Sequence, residues 1–174
     1  MDEKQRMSAL EMALENETNE REFYLRQAGR TRNALGKAMF LHIADDELEH
    51  YTRLKELHGK WSEQGRWPDA VALGVRGTAI REKMLELIDK AAGAPETDDD
   101  DMQALRTAAA FEAKGVEAYT ALARGTSDAK EKAFFELLAG MEREHYLAVK
   151  DAQEYLEDPS AWFTKKERHG LDGG

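Results

Sequence analysis

The chain matches itself. Glu15–Tyr51 lies over Ala110–Tyr146 without a gap, at an offset of 95 residues fixed by placing Glu17 on Glu112. Tyr24 then falls on Tyr119, Lys37 on Lys132, Phe40 on Phe135, Ala44 on Ala139 and Glu47 on Glu142. Glu49 falls on Glu144, His50 on His145 and Tyr51 on Tyr146. A repeat of this length makes one supersecondary unit appear twice, and the two copies must bury their apolar faces together.

Each copy reads as a pair of helices. Helix-period segments fall at about 3–28 and 33–58, then 100–124 and 128–157, with a further one at 78–92. Pro is scarce at 3 residues, and Ala, Leu, Glu, Lys, Arg and Met, all good helix formers, dominate. "AGRTRN" and "ARGTSD" break the two pairs, and Asp128 or Ser127 suits the N-cap of the last helix. Asp98 to Asp101 precede the fourth segment, where they suit the positive end of its dipole. The fold expected is all-α: a four-helix bundle of two duplicated helical hairpins, joined by a long crossover (59–99) that contains an extra helix. One domain over 1–160 and a C-terminal tail over 161–174 complete the organisation.

The apolar seams of these helices carry polar residues that do not suit a core. In "DDELEHYTRLKELH" the 3–4 spacing runs Phe40, Ile43, Glu47, His50, Leu54, Leu57. In the second copy it runs Phe135, Leu138, Glu142, His145, Val149, Ala152. The partner helices read Leu10, Leu14, Glu17, Tyr24, Ala28 and Leu105, Ala108, Glu112, Val116, Tyr119, Ala123. Glu17 and Glu47 are 30 residues apart with Arg32 midway, in the turn; Glu112 and Glu142 are also 30 apart, with Ser127 midway. Residues equally far from the turn of an antiparallel pair lie level, so each hairpin sets two glutamates at one height, about 20 Å from its turn. The bundle then holds four glutamates and two histidines in one layer.

Four bare carboxylates in a low-dielectric interior cannot all stay ionised. Two divalent cations cancel their charge, and two neutral imidazoles add donors without adding charge. One Glu from each of two helices and Glu-x-x-His from each of the other two is the donor set of dimetal carboxylate bundles. A single Glu-x-x-His is usually a surface pair; two copies on apolar seams, each 30 residues after a glutamate, are not. Carboxylate and imidazole donors suit iron or manganese, with zinc as a structural alternative.

"ENETNEREFYLRQA", "ADDELEHYTRLKELH", "FEAKGVEAYTALA" and "GMEREHYLAVKDAQEYL" resemble the rubrerythrin branch of the ferritin-like superfamily, over roughly 7–57 and 102–163. The resemblance implies metal ligands at Glu17, Glu47, His50, Glu112, Glu142 and His145, with Glu47 and Glu142 bridging two irons in an Fe–O–Fe type centre. It implies reduction of hydrogen peroxide or oxidation of ferrous iron, with peroxide or dioxygen as oxidant. It departs from the pattern twice. The chain has no cysteine, so a rubredoxin-type iron site is missing and an external electron donor is expected. The family's extra glutamate, one turn after the third-helix ligand, is replaced by Gly115; the equivalent place in the first copy is Glu20, a candidate extra ligand.

Tyr24 and Tyr119 are read as hydrogen-bonding partners of the ligand carboxylates. Tyr51 and Tyr146 should point elsewhere, and His42, His58 and His169 are read as surface or core filler. The net charge of −10 disfavours a phosphate backbone, so no nucleic-acid partner is expected. No apolar run reaches membrane-span length and no leader is visible, so a cytoplasmic protein without membrane attachment is expected. The apolar face of the 78–92 helix (Ile80, Met84, Leu87, Ile88) suggests a homodimer interface. Iron storage or metal binding without turnover is the alternative function.

Overall fold

The structure, a computed structural model, describes residues 3–68, 78–90 and 97–164. Five helices carry it: α1 (Glu3–Arg30), α2 (Ala34–Gln64), α3 (Ile80–Lys90), α4 (Asp99–Gly125) and α5 (Ala129–Glu157). A short sixth, α6, spans 159–164, and among the described residues there is no strand. The all-α, ferritin-like bundle expected from the sequence is what forms.

The ends are set by side-chain caps. Asn33 accepts the Gly36 N–H at 2.9 Å to start α2. Asp98 and Asp101 form a reciprocal capping box at α4, and Asp128 accepts from Lys130 and Glu131 at α5. The aspartate run before α4 is thus a cap, and it also holds Arg30, which reaches Asp101 at 3.2 Å and Asp100 at 3.4 Å. α2 continues to Gln64 rather than ending near 58, because Trp61 extends the Leu54–Leu57 seam into the core and is 1% exposed. Gly65 then stops it, with φ 65 and its N–H bonded to Trp61 O at 2.8 Å.

α1 packs along α2 and α4 along α5. On every long helix the buried glutamates and histidines divide two apolar clusters. One cluster joins Tyr24, Phe40, Ile43, Leu105, Val149 and Ala152, among others. The other joins Leu10, Leu57, Trp61, Tyr119, Phe135 and Leu138, among others. The first therefore collects the C-terminal half of α1 and α5 and the N-terminal half of α2 and α4. So α2 and α4 run parallel, and the chain must travel the length of the bundle between them. That is why the crossover is long. Its helix α3 packs on α2 and α5, burying Ile80, Met84 and Ile88 in the first cluster, so this face is turned into the core. Residues 69–77 and 91–96 of the crossover, and 165–174 of the tail with His169, lie outside the described residues. The described part of the tail belongs to the core: Trp162 is 5% exposed and meets Tyr155 edge-on at 5.6 Å.

Arg6 of α1 ties the opposite end. Its guanidinium meets Glu131 at 2.7 Å, Glu131 also accepts from Thr126 at 2.7 Å, and Arg6 lies over the Trp61 ring. Among the described residues, no helix is long and apolar enough to cross a membrane.

Candidate metal centre

All six residues singled out by the repeat meet between the two apolar clusters. Glu17, Glu47, His50, Glu112, Glu142 and His145 are each 2% exposed or less. Their donor atoms fall into two quartets, each with all atoms within 4.8 Å of one another. One is Glu17, Glu47, His50 and Glu142; the other is Glu47, Glu112, Glu142 and His145. The quartets share Glu47 and Glu142, the two glutamates of the Glu-x-x-His motifs.

The contacts inside the quartets converge rather than pair. His50 Nδ1 lies 3.0 Å from Glu47 Oε2, 3.1 Å from Glu142 Oε1 and 3.3 Å from Glu17 Oε2. His145 Nδ1 lies 3.4 Å from both Glu47 Oε1 and Glu112 Oε2. Yet none of these atoms has hydrogen-bond geometry to a partner, and both oxygens of Glu47 and of Glu142 are orphaned. Buried polar atoms are normally paired, at a cost of roughly 1–3 kcal/mol each when they are not. Lone pairs aimed at a common point suit cations placed there, one per quartet. The donor set and its orphaned atoms fit two divalent ions of carboxylate-loving type.

The titration state without metal says the same. Burial pushes the Glu17 carboxyl well above the carboxylate range against the pull of His50, and Glu47 and Glu142 add to it. Burial likewise pushes Glu112 up to about 8, although His145 opposes. Burial pulls both histidines down, but the surrounding carboxylates, led by Glu17 for His50 and Glu112 for His145, together override it, and both sit well above their ordinary value. Glu47 goes the other way: burial would raise it, but contacts with both imidazoles hold it well below the usual range. Protons occupy the cluster where cations would neutralise it.

The two tyrosines cross between the copies. Tyr24 on α1 donates to Glu112 Oε1 on α4, and Tyr119 on α4 donates to Glu17 Oε1 on α1. Each phenol therefore fixes the carboxylate that is not on its own helix. Tyr51 and Tyr146 are half-buried and away from the quartets. Glu20 belongs to neither quartet. It is half-buried, and burial followed by the charges of Glu47, Glu142, Glu112 and Glu17 pushes it up to about 10. It therefore feels the cluster without being drawn into it. Gly115 stands against Glu142, so a side chain there would have to displace the Glu142 carboxylate.

One residue was missed. Asp46 Oδ2 accepts from His145 Nε2 at 2.9 Å, with His42 Nε2 3.9 Å away. Burial would raise Asp46, but hydrogen bonds from His145 and Thr78 and the charges of His145 and His42 together hold the carboxyl low. Such a partner fixes which imidazole nitrogen faces the metal. The repeat could not flag it, because Met141 stands at the equivalent position and His50 Nε2 is orphaned. His42, read as filler, joins Asp46 in the wall of a surface cleft of about 700 Å³ beside α2. His58 pairs with Glu11 at 3.3 Å on the surface.

A level ring of four glutamates and two histidines inside a four-helix bundle defines a class: a ferritin-like carboxylate bundle whose residues could hold two metal ions. The rubrerythrin family model matches residues 8–93, from the start of α1 through α3. Over these residues the chain is similar to the rubrerythrin family, consistent with a bundle of the ferritin-like type. No curated protein and no solved structure matches it. The match stops before α4, so the second half of the donor set rests on the geometry above.

Proposed function

We propose that the chain is a non-haem diiron oxidoreductase that reduces hydrogen peroxide, with ferrous-iron oxidation as the neighbouring activity of the same centre. The observation that carries this is the pair of buried quartets sharing Glu47 and Glu142, with their donor atoms orphaned. Glu47 and Glu142 could serve two ions at once, which would suit a two-electron oxidant that must meet both. When bound, the irons supply the electrons and polarise the O–O bond. Glu17 with His50 would hold one ion and Glu112 with His145 the other. Tyr119 and Tyr24 keep Glu17 and Glu112 aimed inward. Asp46 keeps His145 Nδ1 facing the ion. The apolar clusters above and below exclude bulk water, so the fixed charges act undiluted. Reductant must come from outside the centre, and a homodimer is the expected assembly.

Anaerobic reconstitution with ferrous iron followed by a peroxide pulse tests the reading. Two irons per chain, loss of peroxide and a new near-ultraviolet absorption are expected. Two metals bound with no peroxide loss would leave a metal-binding bundle instead. Iron storage is separated by a sizing column: a dimer holding about two metals per chain excludes a cage.

A further inference from the structure

The two tyrosines are equivalent by sequence but not by surroundings. Tyr24 stacks on Phe40 at 6.0 Å and meets Phe23 at 5.3 Å, and Phe23 meets Phe111 at 5.0 Å. That string ends in phenylalanines, which are not oxidised under biological conditions. Tyr119 stacks on Phe135 at 6.4 Å, and Phe135 meets Trp67 edge-on at 5.9 Å. Trp67 also meets Trp61 and Phe134, each at 5.8 Å. Trp61 is buried, whereas Trp67 is only half-buried. Trp67 lines a surface cleft of about 380 Å³ with Arg66, Asp128, Ala129 and Lys130. One copy of the repeat thus connects its carboxylate layer to the surface through two oxidisable rings, whereas the ring contacts of Tyr24 lead only to phenylalanines among the described residues.

We propose that Trp67 is a port through which a small anionic one-electron reductant supplies electrons to the metal layer by way of Tyr119. The proposal rests on the peroxide reading above. Electron tunnelling weakens steeply with distance, so two short steps through oxidisable rings outrun one long step. Phe135 packs between the two rings and bridges them. When hydrogen peroxide has oxidised the centre, Tyr119 gives it one electron, and the phenolic proton passes along the existing hydrogen bond to Glu17. No net charge is then left on the buried ring. Trp67 returns an electron to Tyr119, the proton goes back, and the reductant refills Trp67. Two such passages deliver two electrons; with two protons from solvent they take one peroxide to two waters. The cleft is of small-ligand size. Lys130 stands in its lining, and the Asp128 carboxylate there is held by the Lys130 and Glu131 N–H groups at the start of α5, so an anionic donor meets a cation beside Trp67.

The test uses the full chain loaded with zinc, which has no redox chemistry of its own. A ruthenium photosensitiser with sulfonated ligands, oxidised by flash and quencher, withdraws an electron from the surface. The readout is the tyrosyl radical by electron paramagnetic resonance, taken as the part that Tyr119→Phe removes. Trp67→Phe should abolish this part, and Tyr24→Phe should leave it. Full retention in Trp67→Phe, or its loss in Tyr24→Phe, would overturn the route; circular dichroism checks that each variant keeps its helices. In the iron-loaded chain with peroxide, Lys130→Glu should raise the KM for ascorbate several-fold, and an unchanged KM would overturn the anionic-donor assignment. Should iron-loaded protein spare peroxide while the radical pattern holds, the peroxide reading fails and the electron route stands.

Discussion

A β-carbon at Gly115 would come within 2.8 Å of Glu142 Oε2 and 3.0 Å of Glu142 Cδ. The helix α4 backbone is the wall against which this shared carboxylate rests. Gly115→Ala should therefore separate stability from metal binding. In a helix interior, alanine stabilises relative to glycine by roughly 0.5–1 kcal/mol. The Glu142 carboxylate, at the end of a flexible side chain, can yield, and in yielding it leaves both quartets. Expected is an unchanged or slightly raised Tm of the metal-free protein, with a clear loss of both bound metals by elemental analysis. Full metal content in the variant would show that Glu142 is not shared.

The two imidazoles differ in what stands behind them. His145 Nε2 has Asp46, and among the described residues His50 Nε2 has no hydrogen-bond partner. Removing such an outer partner typically costs 10–100-fold in metal affinity. Asp46→Asn should weaken the Glu112–His145 ion by about that factor and leave the Glu17–His50 ion nearly as it was. A metal titration followed by calorimetry should resolve two unequal classes in the variant. Equal weakening of both would mean that Asp46 acts on the bundle and not on His145.

These two residues mark where sequence reasoning ran out. The six quartet residues were legible because the repeat displays them twice, on seams otherwise apolar, and their burial follows from the 3.6 period. The parallel course of α2 and α4 was implicit in the long crossover. Asp46 was invisible because its counterpart is Met141, so comparison of the copies discards it. Gly115 read as a missing glutamate, whereas its cause is a contact with another helix. The tyrosine crossing was hidden for the same reason: a helical wheel reports the face a phenol is on, not the chain it meets. Trp61 carried α2 past the expected end near residue 58.

Metal and protons compete for one site, so stability should depend on pH with opposite sign in the two forms. Glu17, Glu112 and both histidines sit above their ordinary values when metal-free, with Glu112 at about 8. The folded apoprotein then holds more protons than the unfolded chain from the ordinary carboxylate range up to about pH 8. Its stability from these groups is present at the acid end of that window and falls as pH rises. Glu47, held low, adds an opposite slope only below the ordinary carboxylate range. Binding expels the protons, so metal affinity should rise with pH across the same window. Thermal unfolding from pH 6 to about 8.5 should show Tm falling for the apoprotein and rising for the loaded protein. Proton release appears as a buffer-dependent binding enthalpy, and its absence would contradict the proton-filled cluster.

Tyr24 and Tyr119 make matching bonds across α1 and α4, and they are 0% and 3% exposed. Phenylalanine fits either ring position but leaves one carboxylate oxygen of Glu112 or of Glu17 without its donor. A buried bond to a charged acceptor contributes roughly 1.5–3 kcal/mol, so each variant should lose a similar amount in urea unfolding of the loaded protein. Stability would then treat the tyrosines as twins, whereas electron transfer from Trp67 should involve Tyr119 alone. A large stability difference between the single variants would mean that one phenol has a second structural role, and the symmetry of the crossing would no longer explain the pair.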